Sequence, residues 1–301
     1  MGRRKMTKRV LAGTFRREII GFECIEEKSM ALRFTGRMAA AVVVIALSSG
    51  VAHAAKCGST AAGFPAWLQS FKAEAEARGV SSRTVHSALD RVTYDPRVIR
   101  LDRNQHSFKL SLDQFMARRA PPSYIKRARD IMRSNAGLLS RIEKRYGVQP
   151  EVLVAIWGME TGFGANSGHM ETIRSLATLA YDCRRSEFFT NELLAALQIV
   201  QRGDMSASEM RGAWAGELGQ TQFLASKYLD YAVDFDGDGR RDLIHSRADV
   251  LASTANFLRG HGWQPGAGYE PGQPNYAVFA AWNRATVYQQ ALALFASKIA
   301  Q

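Results

Sequence analysis

YGVQPEVLVAIWGMETGFG, Tyr146 to Gly164, is the segment on which the fold turns: an apolar stretch with one acid near its end. Pro150 suits a first helical turn, where its missing N–H has no partner to lose, and Gly162 and Gly164 mark the stop. Glu160 lies at i+3 from Trp157, i+4 from Ile156 and i+7 from Leu153, so it projects from the apolar stripe of its own helix. A carboxylate there is costly. Desolvation disfavours the anion, and the negative end of the helix dipole lies at the same turn. The spacing predicts a glutamic acid that keeps its proton near neutral pH, as a general acid must when it protonates the leaving oxygen of a glycosidic bond. The alternative is a Glu that bends to solvent at the helix end or pairs with an Arg.

Outward from this helix, helical spacing dominates. It predicts helices over Phe64 to Gly79, Ser81 to Leu89 and Leu110 to Arg119, the last stopped by Pro121-Pro122. Ser123 to Tyr146 reads as one long helix or two with a break near Gly137. Further helices are predicted over Ser186 to Gln201, before Ala232, over Asp249 to Gly260 and over Ala285 to Ala300, and Ser206 with Glu209 reads as the capping box of a short one. Strand-like alternation is almost absent, apart from a candidate hairpin in the Asp/Gly-rich segment 234–242. The fold class is therefore mainly α, in a single unit from residue 55 to 301.

The N-terminus reads differently. Arg33 and Arg37, an apolar run from Met38 to Leu47 and Ala52-His53-Ala54 form a secretory signal peptide with its cleavage site, behind an extension of residues 1–29. The run is shorter than the roughly 20 residues a membrane span needs, and Lys56 before Cys57 does not suit lipidation, so no anchor is expected. Periplasmic export follows. The chain carries a net +12, but beyond residue 54 only 30 Lys/Arg face 24 Asp/Glu. The excess sits between Arg97 and Arg145, with thirteen Lys/Arg against four Asp/Glu. On an exported protein such a stretch suits an anionic wall polymer or membrane surface, or is a solvated helical face; nucleic acid is not expected. Excluding Cys24, the mature chain keeps Cys57 and Cys183, which predicts a disulfide, with two free buried thiols as the alternative.

Five segments in order, YGVQPEVLVAIWGMETGFG, SLATLAYDCRRSEFF, WAGELGQTQFLASKYLDYAVDFDGDG, LASTANFLRGHGW and AWNRATVYQQAL, resemble the bacterial lytic murein transglycosylases of the B type, over residues 64–301. The resemblance implies an α+β, goose-lysozyme-like catalytic domain. It implies that Glu160 is the sole catalytic acid and then base, cutting between N-acetylmuramic acid and N-acetylglucosamine to leave a 1,6-anhydro sugar. It implies that Gln222 and Asn283 contact sugar, and that Arg184 and Arg185 meet lactyl or peptide carboxylates, against the plainer alternative of pairing with Asp182 or Glu187. Trp282 and Phe257 stand where relatives carry Tyr, so stacking on sugar is expected to survive there while a hydroxyl is lost. Ala213 replaces a serine, and Glu217 brings a charge to a loop that is often apolar. A second acid could hold water, and a muramidase is one alternative function; a noncatalytic murein-binding protein is another.

Asp234, Asp236, Asp238 and Asp242 fall at positions 1, 3, 5 and 9 of a calcium-loop template, with Gly239 at position 6, but His245 stands at position 12 where a Glu belongs. The resemblance offers Asp249 as a later closing ligand. Any Ca²⁺ would be structural, and no cofactor is expected to be required. The six His show no zinc spacing, and Gly162-x-Gly164 follows no strand, which removes a dinucleotide reading. Trp214, Tyr228, Trp263 and Tyr276 are candidates for stacking or for the core. The expected partners are peptidoglycan glycan strands, with cell-wall synthesis or hydrolase machinery as further candidates.

Overall fold

The computed structural model describes residues 56–104 and 110–301; the segment expected to be a signal peptide, the extension before it and Cys24 lie outside the described residues. All described residues belong to one compact unit. The chain runs α1 (Phe64–Ala77), α2 (Ser82–Leu89), α3 (Pro96–Arg103), α4 (Leu112–Arg119), α5 (Pro122–Ser134), α6 (Ala136–Tyr146) and α7 (Pro150–Thr161). Then come β1 (Met170–Glu171), α8 (Thr172–Tyr181), α9 (Ser186–Arg202), β2 (Arg211–Gly212), α10 (Ala225–Tyr231), α11 (Arg247–Gly260), α12 (Phe279–Trp282) and α13 (Thr286–Ala300). No helix of the described residues is long and apolar enough to cross a membrane.

Local signals set most of these ends. Ser81 accepts from Thr84 N, Asp95 from Arg97 N, and Ser111 forms a full capping box with Gln114. The break between α5 and α6 falls at Asn135, not Gly137, and the Asn135 amide bonds back to Ile131 O at 2.8 Å.

At the centre is α7, with Val152 through Ile156 fully buried and Trp157 and Met159 nearly so. It is apolar around its whole circumference rather than along one stripe, because α13, α5, α11 and α6 all pack on it. Gly158 permits the closest approach: a Cβ there would lie 2.8 Å from the Phe163 ring and 3.1 Å from Phe295 on α13. Past α7, Gly162 takes φ +62° and Phe163 follows at φ +61°, a left-handed turn in which Phe163 is wedged between Tyr124 and Trp157. A second layer pairs α8 with α9, and a disulfide between Cys57 and Cys183 ties the first described residues to the end of α8, with Gly58 N donating to Tyr181 O at 2.8 Å.

Two expectations are corrected. The Ser206–Glu209 box forms, with Ser206 N to Glu209 Oε2 at 2.7 Å, but it closes only a turn, because Arg211 is drawn into an antiparallel pair with Glu171. The Asp/Gly-rich segment is a loop rather than a hairpin. Asp234 turns inward to accept from the N–H groups of Gly237 and Gly239, which spends the donors a strand ladder would need. The short pair β1–β2 is prolonged by single bridges Gly212–Leu218 and Leu218–Phe223, and this irregular patch carries residues 213–222. Within the basic stretch Lys126 and Arg133 are strongly exposed and pair along α5 with Asp130, a solvated helical face.

Candidate active site

Glu160 occupies the last turn of α7 and opens on a cleft of about 450 Å³ that is also lined by Arg119, Glu217, Gln222, Phe257, Trp282 and Asn283. Its Oε1 accepts two hydrogen bonds, from Trp282 Nε1 at 2.9 Å and from the Tyr288 hydroxyl at 2.5 Å. Burial pushes the Glu160 carboxyl above the usual carboxylate range, opposed by the Tyr288 and Trp282 bonds and by the charge of Arg119. Among the described residues no Lys or Arg forms an ion pair with it. Arg119 reaches Met159 O instead, at 3.5 Å. Burial and the adjacent carboxyl drive the Tyr288 phenol far up, so it remains a donor.

The loop opposite is pinned to α7 through Gln220. Trp157 Nε1 donates to Gln220 Oε1 at 2.9 Å, Thr161 Oγ1 to Gln220 O at 2.6 Å, and Gln220 Nε2 to Ile244 O at 2.7 Å. Next to it Gln222 sits at φ +57°, a left-handed backbone position. Its Nε2 donates to Ser167 O and Gly219 O, which leaves Oε1 uncommitted. Asn283 Oδ1 accepts from Ala285 N at 3.0 Å ahead of α13, which leaves its amide N–H groups for a ligand.

The aromatic residues differ from expectation in detail. Trp282 keeps a donor to the acid through its indole, so the substitution of Tyr does not remove hydrogen bonding here. Phe257 is buried, stacked on His261 at 4.1 Å and edge-on to Trp282 and Phe223, so a ring face is already occupied. Trp214 lines the cleft, whereas Tyr228 and Trp263 are core and Tyr276 packs on Phe279.

Arg184 and Arg185 are not among the residues lining this cleft. Both bind Asp102, which is 2% exposed: Arg184 Nη1 lies 2.9 Å from Oδ2, Arg185 bonds Oδ1, and Arg103 shares Oδ2 with Arg184. Asp182 takes part through Arg103 and through the Arg184 backbone N–H, while Glu187 does not.

In the Asp/Gly loop, ligand atoms of Asp234, Asp236 and Asp249 lie within 4.8 Å of one another. Asp249 is fully buried, and burial, with the charge of Asp236 adding, pushes its carboxyl up. Three carboxylates converging on one point fit a hard cation of the Ca²⁺ type. Asp242 is not part of this group: it accepts from Ile244 N, His245 N and the His245 ring, and so removes position 12 as well. Asp238 lies outside the group, and its Oδ1 accepts from Arg240 N.

A family model described as the transglycosylase SLT domain matches residues 63–272. Membrane-bound lytic murein transglycosylase B of Escherichia coli (strain K12) is 38% identical over 145 residues, 46% of this chain and 40% of that one, so the chain spans about two fifths of that curated relative's length. Among solved structures, SltB3 from Pseudomonas aeruginosa in complex with NAG-anhNAM-pentapeptide aligns at a TM-score of 0.75 and 32% identity over 79% of each chain. The Escherichia coli lytic transglycosylase Slt35 in complex with bulgecin A aligns at a TM-score of 0.70 and 24% identity, over 82% of this chain and 96% of that one, and shares the fold.

Proposed function

The chain belongs to the transglycosylase SLT domain family, and from that premise we propose that it is an exported lytic transglycosylase that cuts the MurNAc–GlcNAc β-1,4 bond of peptidoglycan. The observation that carries the reading is a desolvated Glu160 held by two neutral donors at the base of a cleft, with no cation paired to it among the described residues. Burial keeps the proton on until a glycosidic oxygen takes it. As the C1–O bond breaks, the resulting carboxylate is met by the Tyr288 hydroxyl and the Trp282 indole, which favour the anion and keep it in place.

The cationic C1 is shielded by the substrate's own 2-acetamido group. Glu160, now a base, removes the proton of the muramyl 6-hydroxyl as O6 bonds to C1. The acid is regenerated, no water is consumed, and the product ends in a 1,6-anhydro ring. One carboxyl suffices because the nucleophile is tethered to the sugar it attacks. Gln222 and Asn283 would orient the strand. The relative SltB3 was solved with NAG-NAM-pentapeptide, which supports a peptidoglycan strand as the ligand. The signal peptide would deliver the chain to the periplasm, where the Cys57–Cys183 disulfide is compatible with the oxidising compartment.

For the Asp/Gly loop, Asp234, Asp236 and Asp249 would hold a structural Ca²⁺, which would neutralise converging carboxylates and brace the segment between α10 and α11. A structure of Slt35 in complex with calcium is in keeping with this. The ion would take no part in the acid–base step.

A muramidase reading is favoured by one feature, the second carboxyl, Glu217, in the same cleft. Mass spectrometry of purified sacculi after digestion separates the two. Lytic cleavage gives ends about 18 Da lighter than the hydrated reducing ends of a hydrolase. Anhydro ends alone support the proposal, and hydrated ends overturn it.

A further inference from the structure

Glu217 has no role in the acid–base step, yet its placement is specific. Gly216 before it takes φ +91°, and Glu217 O accepts from Ala213 N at 2.9 Å, so its backbone is fixed at the cleft wall. The side chain lines the cleft with Glu160, but Oε2 is closed off from solvent and has no hydrogen-bond partner among the described residues. An unpartnered buried oxygen is expensive on an anion and much less so on a neutral carboxyl.

The surrounding charges do not compensate it. Arg119 on α4 is directed to Met159 O, Lys227 on α10 pairs with Asp230 at 3.6 Å, Arg185 at the head of α9 is bonded to Asp102, and Glu160 on α7 repels a second negative charge. Burial leads in pushing the Glu217 carboxyl up, Glu160 adds to it, and the N–H groups of Glu217 and Ala215 and the charge of Arg185 oppose. With Oε2 closed off, the one O–H a neutral carboxyl can offer to the cleft is on Oε1, and no acceptor among the described residues takes it.

We propose that Glu217 is a substrate-binding residue that, as a neutral carboxylic acid, donates a hydrogen bond to an acceptor oxygen of the amino-sugar strand and so fixes the strand against Glu160. The inference rests on the glycan-cleaving reading of the cleft. It also gives the second acid a task other than activating water: its proton is donated in a hydrogen bond and stays on Glu217 throughout.

The test measures binding of a peptide-free murein tetrasaccharide, whose lactyl carboxylates stay ionised throughout, by calorimetry between about pH 5 and pH 8 in the E160Q background. Every other ionisable side chain of the cleft is shared by the variants, so the comparison isolates Glu217. The affinity of E160Q is expected to fall about tenfold as Glu217 ionises, the weight of one lost hydrogen bond. E160Q/E217Q, which keeps a neutral donor at every pH, is expected to lose that dependence and bind as E160Q does at acid pH. E160Q/E217A is expected to bind, at every pH, about tenfold more weakly than E160Q does at acid pH. Affinity of E160Q/E217A equal to E160Q, or affinity of E160Q that rises with pH, overturns the inference while wild-type cleavage of sacculi leaves the function standing. No binding by E160Q together with no cleavage by wild type overturns both.

Discussion

Replacing Glu160 by Gln removes the transferable proton without changing shape, and murein cleavage should fall by at least 10²–10⁴-fold, the usual weight of a general acid–base group. The same change has a stability signature. A carboxyl whose folded pKa is raised stabilises the native state fully below its unfolded pKa, and that contribution is lost as pH rises through the folded value. In denaturant titrations E160Q should therefore match wild type near about pH 3 and exceed it near about pH 8; equal midpoints at both would mean that the carboxyl is not desolvated. Tyr288→Phe deletes a donor that favours the anion, so the alkaline limb of the rate profile should move to higher pH and kcat should fall roughly tenfold. An unmoved limb contradicts the contact. Glu160 was legible because its helix fixes its surroundings within a few residues. Tyr288 and Trp282 reach the same oxygen from 128 and 122 residues away, and no local pattern marks that meeting. Asp102 was missed for the same reason: the acid that holds Arg184 and Arg185 lies 82 and 83 residues before them.

Helices α1, α2, α4, α7, α9, α11 and α13 were legible and fall within a few residues of the expected bounds, α7 through Pro150 at its start and Gly162 past its end rather than through a stripe. Helices α3 and α8 were not. The segment PRVIRLDR of α3 is dominated by charge and buries only Val98 and Asp102, and α8 is buried on every side but Arg174. The arginine cluster makes α3 structurally important despite its polarity. Asp102→Asn should cost about 1–3 kcal/mol in denaturant unfolding, less than a wholly buried pair because the guanidiniums stay half-exposed; a change within error would make the cluster ornamental. The disulfide joins residues 126 apart, so Cys57→Ser with Cys183→Ser should lower stability by about 4–5 kcal/mol in the chain-entropy picture. A loss near zero would show that the denatured chain gains little freedom from breaking it.

At the scale of the molecule, a buried apolar helix delivers one acid to a cleft whose other wall is an irregular loop, and Gln220 is the clasp between them. The Asp/Gly loop hangs from the same clasp through Ile244, so bracing it steadies the cleft from behind. Millimolar Ca²⁺ should therefore raise the melting temperature, and Asp249→Ala should abolish the shift; no shift in the wild type would remove the ion from the account. The loop's carboxylate spacing was legible, but which acids converge was not, because Asp242 and His245 turn to each other instead of toward Asp234. All of the chemistry depends on the protonation state of Glu160. An NMR titration of its side-chain carbon in the folded protein reads that state directly. The account predicts a midpoint above that of an ordinary glutamate, moved further up in Tyr288→Phe; a midpoint at or below the ordinary value would contradict it.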